Sequence, residues 1–125
     1  MARLRLAHFS DIHYTLNPLR HLRESLRGKR LANVFSYYLG QRAERFAHNR
    51  ERIGALLDDV DGEGVDHALC TGDVTAASLP EEFDGLAEVF GPRLTQPERF
   101  TVLPGNHDRY VQSAVRNQLF ERHFA

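Results

Sequence analysis

Three short strings hold the groups able to do chemistry in this chain. They are Asp11-Ile12-His13, Gly72-Asp73 and Gly105-Asn106-His107-Asp108. Together they offer carboxylates, an amide oxygen and imidazole nitrogens. Two carboxylates, an amide and an imidazole crowded within a few ångströms repel or lie unsatisfied unless a cation joins them. Hard oxygens mixed with imidazole nitrogen suit manganese, iron or zinc better than a soft thiolate site would. Each string alone is ordinary. Asp-x-His fits a strand-end turn, Gly-Asp is a common turn pair, and Pro104-Gly105-Asn106 fits a type II turn. Their meaning depends on the elements that carry them.

Residues 3–9 begin by alternating, with Leu4 and Leu6 on one face, and read as a strand ending at Ser10-Asp11. After Asn17-Pro18, the residues Leu19, Leu22 and Leu26 keep helical spacing up to Gly28. A longer helical pattern runs from Leu31 to Val60, with a break near Gly40, and stops at Asp61-Gly62-Glu63-Gly64. Residues 65–70 form a second apolar run, which ends in Thr71-Gly72-Asp73. Ser78-Leu79-Pro80-Glu81 has capping-box spacing and opens a helix whose inner face is Phe83, Leu86, Ala87 and Phe90. Gly91-Pro92 stops it. Residues 100–103 form a third strand, halted by Pro104-Gly105. From Tyr110 onward, Val111, Val115, Leu119 and Phe120 predict a last helix.

The order is β-α-β-α-β-α, so the fold class is α/β. Strands joined by helices of this length run parallel, with right-handed crossovers. In such a sheet the loops leaving the strands emerge at one edge, where ligands bind. Those loops are the three strings.

In this order and setting the strings resemble the first three signature motifs of the calcineurin-like metallophosphoesterases. The fuller strings Phe9-Ser10-Asp11-Ile12-His13, Thr71-Gly72-Asp73-Val74-Thr75 and Leu103-Pro104-Gly105-Asn106-His107-Asp108 carry the resemblance. It implies a dinuclear phosphoesterase that hydrolyses a phosphodiester or phosphomonoester with two divalent ions (Mn, Fe or Zn). Asp11 and His13 would bind the first metal, Asp73 would bridge both, and Asn106 would bind the second. His107 would not be a ligand but would lie over the metals as general acid, and Asp108 would hydrogen-bond its imidazole. The attacking species would be a metal-bound hydroxide.

The family's later lone His and Gly-His-x-His motif have no counterpart here; after Asp108 the remaining histidine is His123, expected to be a solvated helix-end residue. The resemblance thus implies the N-terminal portion of the domain, residues 1–125, a parallel half of a four-layer sandwich with the C-terminal half missing. His8, His21, His48 and His67 read as structural or surface residues, with a supporting role open to His8 in the first strand.

Composition narrows the choice of partner. Hydrophobic residues at 42% and aromatic residues at 10% argue against global disorder. The net charge of −1 conceals a division. Residues 17–52 carry nine basic and three acidic side chains, whereas residues 53–108 carry two basic and twelve acidic. The basic stretch is expected to be a helical insert, either a solvated amphipathic pair or an arm for an anionic substrate or membrane surface. The acidic body gives no strong nucleic-acid signal, although a DNA-processing nuclease of the same superfamily and a non-catalytic scaffold would share these motifs. A small-molecule phosphate ester is the expected substrate. Cys70, the one cysteine, excludes an internal disulfide framework and a Cys-based zinc knuckle. Arg5 and His8 interrupt the N-terminal apolar residues, so a secretory signal is not expected and a cytoplasmic location is.

Overall fold

Strands separated by helices pair in parallel, and they do so in the computed structural model, which describes residues 3–16 and 48–125. The order is β1 (Leu6–Ser10), α1 (Asn49–Gly62), β2 (His67–Thr71), α2 (Pro80–Phe90), a 3-10 helix (Gly91–Thr95), β3 (Phe100–Leu103), α3 (Gln112–Arg116) and α4 (Leu119–Phe124). The sheet order is β1-β2-β3, parallel throughout. His8 lies opposite Leu69, and Cys70 lies opposite Phe9 on one side and Val102 on the other. The insert expected over 17–52, with its helices and His21, lies outside the described residues except at its end, where α1 begins. Among the described residues, no helix is long and apolar enough to cross a membrane.

This strand order decides which face is covered. The chain steps across the sheet in one direction, and right-handed crossovers then place α1 and α2 on the same side. On that side Ala7, Phe9, Ala68, Cys70, Phe100 and Val102 meet Ile53 and Leu57 of α1, Phe83, Leu86 and Phe90 of α2, and Leu119 and Phe120 of α4. The opposite face holds Leu6 at 65% and Leu103 at 46% exposure. It also carries two diagonal histidine–threonine pairs: His8 Nε2 lies 2.7 Å from Thr71 Oγ1, and His67 Nε2 lies 2.9 Å from Thr101 Oγ1.

Several boundaries differ from the sequence expectation, each for a physical reason. β1 starts at Leu6 rather than residue 3, and Arg5 instead pins the strand entry through its N–H to Asp66 Oδ2 at 2.7 Å. α2 has Leu79 as its N-cap and Pro80 in its first turn, because proline suits the first helical position. The box acid is therefore Glu82, not Glu81, and its Oε2 accepts the Leu79 N–H at 3.2 Å. Gly91-Pro92 does end α2, with Gly91 as its C-cap at φ 55°, and the chain continues directly into the 3-10 helix. The last helix is two helices, broken where Gln118 takes φ 50°. The break turns Val115 outward to 51% exposure and buries Ala114 instead.

Tyr14, 2% exposed, wedges beneath α2 at Gly85, where an added Cβ would meet its Oη at 2.5 Å. Gly85→Ala should destabilise the protein by ~1–3 kcal/mol, the usual range for overpacking, as read by urea denaturation. Cys70 is fully buried, and burial first, then Asp108 and Asp11, pushes its thiol up to about 12 from an ordinary 9.0. A raised thiol favours the folded state fully below its unfolded value, and that share is lost as the pH climbs from 9 toward 12. Comparing the alkaline unfolding of Cys70→Ala with the parent should therefore show a shallower loss in the variant. At pH 8 a maleimide should label the parent only in denaturant.

Candidate metal centre

The first two strings do not simply end their strands; they continue to pair with each other beyond them. Asp11 N–H donates to Gly72 O at 3.1 Å, His13 N–H to Asp73 O at 3.0 Å, Tyr14 N–H to Val74 O at 2.8 Å, and Ala76 N–H returns to Tyr14 O at 3.0 Å. Gly72 N–H donates to Leu103 O at 2.8 Å, joining the second loop to the third strand's end. The head of α1 supports the first loop, because Asn49 Nδ2 donates to His13 O at 2.9 Å.

Three prospective ligands sit on left-handed backbone: Asp11 at φ 55°, His13 at 43° and Asp73 at 52°. Aspartate and histidine tolerate this region better than most residues, yet each such residue still carries strain of order 1 kcal/mol. Glycine lets the second and third loops approach. Gly72 has φ 75°, and a Cβ there would lie 3.3 Å from Gly105 Cα. A Cβ on Gly105 would collide with the backbone N and side-chain Oδ1 of Asp73.

The result is a cluster. His13, Asp73 and His107 present ligand atoms that all lie within 4.8 Å of one another. Metal–nitrogen and metal–oxygen bonds are about 2.0–2.2 Å long, so small side-chain adjustments would bring these atoms onto a common cation. His13 and Asp73 are donors that fit such an ion, and the His107 imidazole beside them is placed either to complete the set or, left unliganded, to give a proton. Asp11 stands at the edge of the group, with Oδ1 3.9 Å from His13 Nε2. Asn106 is exposed on the third turn, between Gly105, whose missing Cβ admits Asp73, and His107, whose N–H donates to Asp73 Oδ1 at 2.9 Å.

His107 is held from several sides. Its ring meets His13 edge to face at 4.9 Å and stacks on Tyr110 at 5.5 Å, with 6° between the planes. Its Nδ1 lies 2.8 Å from Ala76 O. A carbonyl only accepts, so Nδ1 carries the proton and Nε2 is the nitrogen left for cation or substrate. Ser78 Oγ donates to His107 O and accepts the Tyr110 N–H at 3.1 Å.

Asp108 corrects the role expected for it. Its partner is not the His107 imidazole, a place taken by the Ala76 carbonyl. The Asp108 carboxylate is 1% exposed and accepts four donors: Val74 N–H at 3.1 Å, Thr75 N–H at 2.7 Å, Thr75 Oγ1 at 2.9 Å and Gly105 N–H at 2.8 Å. It ties the second loop to the third. His123 is likewise not a solvated helix-end residue: its Nε2 lies 2.9 Å from Asp84 Oδ1 and its Nδ1 2.6 Å from Leu119 O, docking α4 on α2. Asn49, Ala76 and Glu82 were not among the expected site residues, and Ser78, expected to open a helix, instead holds the main chain at His107 and Tyr110. The signal for Glu82 was an acid three residues after the residue preceding Pro80; the carbonyl of Ala76 leaves none.

The family model for calcineurin-like phosphoesterase matches residues 4–125, nearly the whole chain and all three loops. A search of curated proteins with this chain finds no match.

Asp108→Ala would strand four donors that now face a carboxylate. It should lower stability by roughly 3 kcal/mol or more, measured by thermal or urea unfolding, whereas Asn106→Ala, at an exposed position, should change it by less than ~0.5 kcal/mol.

Proposed function

Because the chain belongs to the calcineurin-like phosphoesterase family, we propose that its loop edge hydrolyses a phosphodiester or phosphomonoester with two divalent cations. Asp11 and His13 are assigned to the first ion, Asp73 to both and Asn106 to the second. The observation that supports this most is the convergence of His13, Asp73 and His107 from three separate loops within 4.8 Å. When bound, the cations supply charge to offset the phosphoryl oxygens and to acidify a coordinated water.

The protein's own contribution is to position these groups and handle the proton. Asp11 and Asp73 bring negative charge to an edge where an anionic phosphate ester alone would be repelled, so substrate binding here calls for cations between them. His107, with Nδ1–H anchored on the Ala76 carbonyl, directs Nε2 outward. In its protonated form Nε2–H donates to the leaving ester oxygen, the place where negative charge accumulates as the P–O bond breaks. Tyr110, stacked on the ring, restricts its rotation. Within the substrate class, a small-molecule or cyclic phosphodiester is the assignment to test first.

The test is the Mn(II)-dependent release of nitrophenol from bis(p-nitrophenyl) phosphate. Hydrolysis should require Mn(II) and disappear with EDTA. Asp73→Ala should abolish it together with Mn(II) binding measured by calorimetry. His107→Ala should lower kcat by ~10²–10⁴, the usual worth of a positioned proton donor. Activity that persists undiminished in both variants would overturn the assignment.

A further inference from the structure

One buried carboxylate lies behind the acid rather than in the site. Glu82 is fully buried at the start of α2. Its Oε2 accepts two main-chain donors, Ala77 N–H at 2.9 Å and Leu79 N–H at 3.2 Å. These flank Ser78, which is itself fully buried on left-handed backbone at φ 54°. The same turn makes both grips on His107: the Ala76 carbonyl on the ring and the Ser78 hydroxyl on the main chain. A strained turn of non-glycine residues persists only where its surroundings hold it, and the shared Oε2 clasps this one from below.

We propose that Glu82 is a positioning residue for His107. By fixing the 76–79 turn it sets where the Ala76 carbonyl points, and so selects the Nδ1–H tautomer of the neutral ring and aims Nε2 at the loop edge. The catalytic consequence rests on the phosphoesterase reading; the tautomer consequence does not. Two distances carry the argument: Oε2 to Ala77 N, and Ala76 O to His107 Nδ1 one residue earlier. Supporting residues of this kind typically change activity by 10–100-fold without touching substrate.

The experiment uses the full chain labelled with 15N-histidine, at one fixed pH where the ring is neutral. The His107 signals are assigned by their loss in His107→Gln. Long-range 1H–15N spectra should show the Nδ1–H tautomer in the parent. Glu82→Gln keeps an acceptor oxygen for both N–H groups and should retain that pattern. Glu82→Ala removes the acceptor, and Glu82→Asp withdraws it by one methylene while keeping the charge. Both should shift the ring toward the Nε2–H form or a mixture. Far-UV circular dichroism selects the folded variants, and Glu82→Asp decides the matter if Glu82→Ala does not fold. In the nitrophenyl assay, Ala and Asp should lower kcat by ~10–100-fold with KM within ~2-fold, and Gln should rescue. An Nε2–H ring in the parent, an unchanged ring in folded Ala and Asp variants, or a Gln variant that behaves like Ala would overturn the proposal. Should the parent hydrolyse no ester, the phosphoesterase reading falls and the ring spectra alone decide the role of Glu82.

Discussion

The carboxylate of Asp108 is the knot on which this molecule's loop edge depends. A buried anion is tolerated only when its oxygens are filled, and here four donors from two loops fill them. The attraction runs both ways. Val74 and Thr75 follow Asp73, and Gly105 precedes Asn106 and His107, so satisfying one acid brings two sets of functional groups side by side. The main-chain bonds from Asp11, His13 and Tyr14 then attach the first loop to the second. Strain at Asp11, His13 and Asp73 is sustained by this lattice of bonds, which leaves each residue no alternative conformation with the same partners.

Beneath the knot is a one-sided sheet. Its order makes the helices collect on a single face, and the aromatic residues Phe83, Phe90, Phe100, Phe120 and Phe124 interlock there, with Phe90 meeting Phe100 at 5.1 Å and Phe124 at 5.6 Å. His123 adds a polar fastening between α4 and Asp84. The rigid core thus reaches from the last helix to the underside of β2, where Cys70 lies two residues before Gly72.

Much of this was legible in the amino-acid order. The three strands, the glycine stop after α1 and the apolar face of α2 follow from period and punctuation, which are local properties. The three loops were legible because acid, amide and imidazole groups recur at strand ends, and parallel topology brings strand ends together. What stayed hidden was choice of partner. Asp108 next to His107 invites a pairing between neighbours, but the carboxylate turns inward to three donors over thirty positions away and to the Gly105 N–H, and a plain carbonyl takes the ring. Ser78 has the composition of a helix cap and is drawn off by His107 instead. The split at Gln118 and the outward turn of Val115 likewise answer to packing, because a continuous helix satisfies the sequence period equally well.

The left-handed backbone beneath the candidate ligands also channels how this edge can drift. Substitution there is filtered twice, once by donor chemistry and once by torsion angle. Asparagine and glycine pass the second filter, whereas valine, isoleucine and threonine fail it because branching at Cβ crowds that conformation. A lineage that lost its need for catalysis would therefore decay along a narrow path, through Asn or Gly at 11, 13 and 73. Such a relic would keep the shape of the turns long after the chemistry had gone.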